Sequence, residues 1–257
     1  MARTVPAVHR ALDILELFAG TEELSVPEMV SRLELPRTSV HELVRTLVAR
    51  SYLTSSATQP HRYRLGTSLQ HLGALYSERL DLATEGQAVA RSLVEECSET
   101  VHVAVLDGRE VVYVAKVDST HPVRMVSAVG RRLPAHCTAV GTMLLSHLPA
   151  EQLDTMFGPG LELTAMTEHS IANPTALRRR LREVSARGLA YEYCESNEAV
   201  ACVAAPVRDE NGSVTAAMSI SVPTIRWSDT RAEGLGQLVT AGAAELSARL
   251  GYRSTHR

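Results

Sequence analysis

At 257 residues, with 45% hydrophobic and 21% charged residues and a formal charge of −3, the chain has the balance of a soluble globular protein with room for two cores. The longest uncharged stretch, Leu133 to Ala150, is broken by Pro134, His136, His147 and Pro149, which excludes it as a membrane span. Met1 to Val5 lacks the basic start and apolar run of a signal peptide, and Cys97, Cys137, Cys194 and Cys202 form no CxxC pair, so a cytoplasmic protein without a disulfide framework is expected.

The first element is a helix over Val5 to Phe18, with Val8, Ala11, Leu12, Leu15 and Phe18 at helical spacing on one face. A capping box, Ser25-Val26-Pro27-Glu28, then opens a short helix whose face is Val26, Met29, Val30 and Leu33. Glu34-Leu35-Pro36 turns the chain, because the residue before proline is pushed out of the helical region. The next helix buries Val40, Leu43, Val44 and Leu47, leaving Arg37, Thr38, Ser39, His41, Glu42 and Arg45 outward, where they can reach phosphates or base edges. Two short alternating runs, Ser51 to Thr54 and His61 to Leu65, flank a polar turn and read as a hairpin. Arg62 and Arg64 fall on one face of its second strand. Six arginines at 32, 37, 45, 50, 62 and 64 stand against Glu34 and Glu42, a local basic excess suited to DNA although the whole chain is acidic. The reading is a winged helix-turn-helix.

Thr67 to Glu78 follows as a helical run with Leu69, Leu72, Leu75 and Tyr76 on one face, and Ala83 to Cys97 as another helix. Thr100 to Leu106 and Glu110 to Val117 are strands around the turn signal Asp107-Gly108, and Val123 to Val129 is a further strand. Ala135 to Leu148 and Thr175 to Arg187 are helical, the second closed by Gly188. Leu189 to Tyr193, Ala199 to Arg208 and Ser213 to Val222 are strands, the last two joined through Asn211-Gly212, and Asp229 to Leu250 is the final helix. The fold class is α+β, an antiparallel sheet with helices to either side following the N-terminal domain. The expected boundaries are 1–66 for the DNA-binding domain, 67–80 for a linker helix and 81–257 for the second domain. Alternation puts Ser219 and Ser221 on the same strand face as Ala217, where hydroxyls toward a core need partners or a polar ligand. Ala135-His136-Cys137-Thr138, at a helix start, offers free N–H groups to an anion.

Val8-His9-Arg10-Ala11-Leu12-Asp13-Ile14-Leu15, Leu35-Pro36-Arg37-Thr38-Ser39-Val40-His41 and Tyr63-Arg64-Leu65-Gly66 in the first half resemble the IclR family of bacterial transcriptional regulators. So do Leu133-Pro134-Ala135-His136-Cys137-Thr138-Ala139-Val140-Gly141, Cys202 to Asp209 and Ser219-Ile220-Ser221-Val222-Pro223 in the second. The resemblance runs from about Pro6 to Leu250. It implies a winged helix-turn-helix, a linker helix and a GAF-like effector-binding domain, assembled as a homodimer or a dimer of dimers. The partners it implies are double-stranded operator DNA and a small organic effector, a carboxylate or aromatic acid of a catabolic pathway, with repressors the more frequent members. Ligand contacts carry over to Ala139, Val140, Glu192, Cys202, Ser219 and Ser221, with Met125 as a lid or wall position. The sequence departs from the family at Glu42, where arginine is common, at Thr142, where lysine is common, and at Ser51 and Ala199, where glycine is common. Glu42 has two readings, a base-edge contact favouring cytosine or a capping partner for Ser39.

Two other classes compete. A cysteine–histidine enzyme would pair Cys137 with His136, but adjacent helical residues point about 100° apart, and His102 is the other base within reach of the idea. A metal or redox sensor would use the cysteines and histidines, yet the closest cysteines, Cys194 and Cys202, lack the short spacing of a zinc site. No catalytic residue, metal ligand or cofactor is therefore assigned.

Overall fold

The computed structural model describes residues 5–72, 82–123, 127–158 and 160–253. The chain divides into two compact units, Met1–Leu80 and Asp81–Arg257.

In the first unit, α1 (Pro6–Glu16) leads to β1 (Leu24–Ser25), α2 (Val26–Leu33), α3 (Arg37–Ala49), β2 (Leu53–Ser55) and β3 (Arg62–Leu65). Glu28 closes the capping box of α2, its Oε2 accepting from the Ser25 backbone N–H at 2.7 Å. These bonds, more than the nearby arginine, hold the Glu28 carboxyl down at about 2. Ile14, Phe18, Leu24, Met29, Val40, Val44, Leu47 and Leu53 form one core beneath the three helices. The hairpin is present, but β3 sits in the middle of a three-stranded antiparallel sheet ordered β1-β3-β2. The two-residue β1 had no sequence signal, being too short for alternation to show. The face expected of α1 also shifts: Val8 and Leu12 are exposed, and Ile14 is the fully buried anchor. Residues 67–72 are helical; the remainder of the expected linker helix lies outside the described residues.

The end of α3 explains one departure from the family. Ser51 has φ +58°, its N–H donates to Val48 O, and Tyr52 N–H donates to Leu47 O. This is the Schellman arrangement, which places its left-handed residue where glycine is least hindered. Gly66 presses against the same spot, since a Cβ there would overlap the Ser51 carbonyl.

The second unit is a six-stranded antiparallel sheet ordered β6-β5-β4-β9-β8-β7. Its strands are β4 (Thr100–Asp107), β5 (Glu110–Val117), β6 (Arg132–Pro134), β7 (Ala190–Tyr193), β8 (Val200–Arg208) and β9 (Val214–Pro223). Helices α4 (Leu82–Cys97) and α8 (Asp229–Arg249) pack together on one face, where Gly86 lets α4 approach Val103 and Ala115. Helices α5 (Ala139–Leu145), α6 (Ala150–Met156) and α7 (Pro174–Arg187) complete the unit; α5 lies on the opposite face and α7 packs against it. Asp107-Gly108, Asn211-Gly212 and Gly188 are the turns and cap expected, each with glycine at positive φ. No helix of the described residues is long and apolar enough to cross a membrane.

Two expectations fail here. Val123 and residues 127–129 belong to no strand, residues 124–126 lie outside the described residues, and the edge strand is instead β6. The helix expected from Ala135 to Leu148 is a 3-10 turn, Ala135–Cys137, followed by α5. The break comes at Thr138, whose hydroxyl accepts the Gly141 N–H at 3.0 Å. Gly141 is required because a Cβ there would collide with the backbone of Ala135.

Candidate functional site

Pro36 caps α3, preceded by Glu34 in the left-handed region at φ +53°, so the helix starts with its polar face outward. Arg37, Thr38, His41, Glu42 and Arg45 are exposed along it and Ser39 is half-buried. Ser39 lies three residues inside the helix, so it cannot be the cap that Glu42 completes; that reading of Glu42 is corrected. A groove of about 640 Å³ runs between α3 and the hairpin, lined by Glu42, Arg45, Thr46, Ser55 and Tyr63. Thr46, Ser55 and Tyr63 were not foreseen. Thr46 was legible, one turn beyond Glu42, whereas the other two depend on how the hairpin folds back.

The two wing arginines part company. Arg64 is exposed and has no partner among the described residues. Arg62 is half-buried, and its Nη2 donates to Glu23 O at 2.9 Å and lies 3.1 Å from Glu28 Oε2. Its guanidinium braces β3 against α2, so contact with a phosphate requires breaking that brace.

In the second unit a polar row crosses the sheet face that looks toward α5. Cross-strand register places Glu192 beside Cys202, Cys202 beside Ser221, and Ser219 beside His102. Cys202 Sγ donates to Ser221 Oγ at 3.2 Å, Ser221 Oγ meets His102 Nδ1 at 3.3 Å, and His102 Nε2 meets Ser127 Oγ at 2.7 Å. Lys116 Nζ donates to Ser127 O at 2.6 Å and pairs with Asp118 Oδ1 at 2.8 Å. His102 is fully buried and stacks on Tyr113 at 4.5 Å between ring centres. Burial first, then the Lys116 charge, pull its pKa down to about 3, so the ring is neutral at physiological pH. Burial likewise pushes the Cys202 thiol well up, helped by the negative charge of Glu192.

Glu192 is 2% exposed. Its Oε1 accepts from the N–H groups of Glu195 and Ser196 at 2.6 and 3.0 Å, while Oε2 is buried without a partner. Burial raises its pKa to about 7, against the hydrogen bonds from the Ser196 and Glu195 N–H groups. A carboxyl oxygen left so is costly to bury unless something binds it. Ser219, on the same sheet face, is 3% exposed. Ala139 and Val140 are buried in the first turn of α5, in the same cluster as Cys202. Met125 lies outside the described residues. At the helix start where an anion site was expected, Ala135–Thr138, the Thr138 hydroxyl accepts the Gly141 N–H and takes up one of the free donors. His102, Ser127 and Lys116 were missed as members of the row, because the pairing of β4 with β9 and with β5, and the loop that follows β5, bring them there.

The rival chemistries have little to work with. His136 Nε2 and Cys137 Sγ both turn to Thr164 O rather than to each other, and burial raises the Cys137 pKa. Among the described residues no group of three His, Cys, Asp or Glu could hold a metal ion.

Comparison with known proteins agrees with both units. The family model described as the IclR helix-turn-helix domain matches residues 7–57, and that of the bacterial transcriptional regulator IclR C-terminal matches residues 74–248. The transcriptional regulator KdgR of Escherichia coli is 30% identical over 97% of this chain and 94% of its own. The transcriptional repressor AllR of Klebsiella pneumoniae is 32% identical over 96% and 90%. The crystal structure of the Agobacterium tumefaciens repressor BlcR superposes with a TM-score of 0.88, at 31% identity over 98% of this chain and 100% of that one. With its DNA-binding and C-terminal domains both matched, the chain belongs to the IclR family of DNA-binding bacterial transcriptional regulators.

Proposed function

We propose that this regulator is a ligand-responsive repressor of a catabolic operon, acting in the cytoplasm as a homodimer or dimer of dimers. Residues 1–66 bind the operator, 67–80 are the linker and 81–257 bind a small organic effector, a carboxylate or aromatic acid. Arg37, Thr38, Ser39, His41, Glu42, Arg45 and Arg64 contact the operator, and Arg62 supports the wing. Glu192, Cys202, Ser219 and Ser221 contact the effector, with Ala139 and Val140 as apolar wall. Repression is supported by the likeness to AllR and BlcR, both repressors.

The observation that carries the effector reading is the buried polar row on one sheet face, in which Glu192 keeps a carboxyl oxygen without a partner. An effector that binds one arrangement of the subunits better shifts the population toward it and changes operator affinity. A hundredfold change requires about 2.7 kcal/mol of coupling, within the usual range. The test is binding of the full chain to the DNA upstream of its own gene, with metabolites of the neighbouring operon added singly. Specific binding that one metabolite weakens supports the reading; specific binding indifferent to all of them, in a protein those metabolites demonstrably bind, opposes it.

A further inference from the structure

A second cleft lies at the outer edge of the sheet, apart from the polar row. Tyr191 and Tyr193 alternate with Glu192 along β7, so their rings stand on the sheet face turned away from α5. The Tyr191 hydroxyl is pressed there against α8, where a Cβ on Gly236 would come within 2.8 Å of it. Between these rings and α7 is a cleft of about 320 Å³, lined by Glu183, Val184 and Arg187 of the helix and by Tyr191, Tyr193 and Glu195. Residues 180, 183, 184 and 187 form one stripe of α7, at i, i+3, i+4 and i+7. Arg180 is already engaged: its Nη1 donates to Tyr191 O at 3.1 Å and to Glu195 Oε1 at 2.9 Å. Glu195 Oε2 is left buried without a partner, although the side chain is only 6% exposed. Burial raises the Glu195 pKa against the pull of Arg180, so a further positive charge would be welcome there. Glu183 is exposed and has no ion pair among the described residues, and Arg187 lies 5.6 Å over the Tyr191 ring.

We propose that this cleft is a second small-molecule site, for a linear ω-amino acid whose ammonium donates to Glu195 Oε2 beside Glu183 and whose carboxylate accepts from Arg187. The orphaned carboxyl oxygen needs a donor, and an ammonium supplies a charge-assisted one. The Arg187 guanidinium matches a carboxylate in the same way at the other end. Arg180, to which Glu195 is fixed, and Arg187 stand about 10 Å apart along the helix axis. An α-amino acid carries both charges on one carbon and does not span that distance; a chain of methylenes does, lying between Val184 and the two tyrosine rings. The opposed charges also reject the wrong ligands, since a dicarboxylate meets Glu183 and Glu195 and a diamine meets Arg187. The site draws on neither Ser219, Ser221 nor Cys202, so it stands or falls apart from the effector reading.

The experiment uses the full chain and a series of ω-aminoalkanoates from glycine to aminooctanoate length, each beside its matched alkanoate and alkylamine. Binding is read by calorimetry, with proton-detected ring shifts of Tyr191 and Tyr193 locating it. The expected result is that one of the longer members binds best, that glycine does not bind, and that removing either charge weakens binding by about tenfold or more. Glu195→Gln lowers the preference for the amino acid over the alkanoate, and Arg187→Met abolishes its preference over the alkylamine. Because Glu195 also pairs with Arg180, Glu183→Gln at an exposed position repeats the first comparison without touching that pair. Failure of the whole series to bind, a best ligand that keeps its affinity without one charge, or unchanged selectivity in Glu183→Gln and Arg187→Met overturns the proposal. Loss of binding in Ser221→Ala, with the Glu183 and Arg187 variants unaffected, puts the ligand in the polar row and overturns it too. Loss in the Glu183 and Arg187 variants alone, with Ser221→Ala binding as wild type, supports it.

Discussion

The guanidinium of Arg62, in the wing, lies 3.1 Å from the carboxylate of Glu28, in the first turn of the helix that precedes the recognition helix. The pair ties the central strand of the small sheet to the helix-turn-helix, and the same carboxylate closes the capping box. An arginine that charge patterning assigns to DNA is therefore employed within the domain.

Arg62→Ala is accordingly expected to lower the melting temperature of the N-terminal unit, and Glu28→Gln to do the same. Because they remove one brace between them, the double variant should melt little below the lower single variant. Additive losses measured by calorimetry would show that the two side chains act independently. The sign with pH follows from the depressed Glu28 carboxyl: its contribution is present above the ordinary value of 4.5 and is lost as pH falls toward about 2.

Ser51→Gly should stabilise the chain by about 0.5–1 kcal/mol, because Ser51 sits at φ +58° in the C-terminal motif of α3. Gly there removes the Cβ penalty of the left-handed region, offset in part by the looser unfolded chain. Denaturant unfolding with an unchanged slope reads the difference directly. A loss of stability would mean that the serine side chain contributes more than its backbone costs.

Gly141→Ala is expected to disrupt the second unit by about 3 kcal/mol or more, since its Cβ would meet the Ala135 backbone rather than a movable side chain. The far-ultraviolet signal and the melting transition of that unit are the measurements. Wild-type melting would require the Ala135–Cys137 turn to move away without cost.

Glu192→Gln should stabilise the protein in a pH-dependent way. The folded carboxyl titrates at about 7 against an ordinary 4.5, so the folded state holds the extra proton and stability falls as pH rises through that window. The gain from glutamine is near zero below the window and at most about 3 kcal/mol above it. A gain independent of pH would assign the effect to packing instead of charge.

The elements that sequence pattern made legible are those with local causes. The capping box at Ser25, the glycine turns at Gly108 and Gly212, and the glycine cap at Gly188 are each set by a few adjacent residues. Where the sequence misled, the deciding contact is distant. Val8 and Leu12 repeat at helical spacing, but periodicity does not say which stripe of α1 is covered, and Ile14 is the residue that α2 and α3 enclose. The apolar run from Ala135 reads as one helix until Thr138 caps α5 and Ala135 packs on Gly141. Ser219 and Ser221 were legible from alternation alone. Their neighbours His102 and Ser127 come from elsewhere in the chain, through strand pairing and a loop that no local pattern specifies.

The account's centre is that α3 and its wing form the operator-binding surface, and fluorescence-anisotropy titration tests it most directly. The full chain is titrated onto DNA from upstream of its own gene over a range of salt, wild type beside Arg37→Ala and Arg45→Ala. The expected result is sequence-specific binding by the wild type. Each variant, still folded, should bind about tenfold more weakly, with a salt slope lower by about one where a phosphate contact is lost. Wild-type affinity and slope in both variants would contradict the assignment of α3.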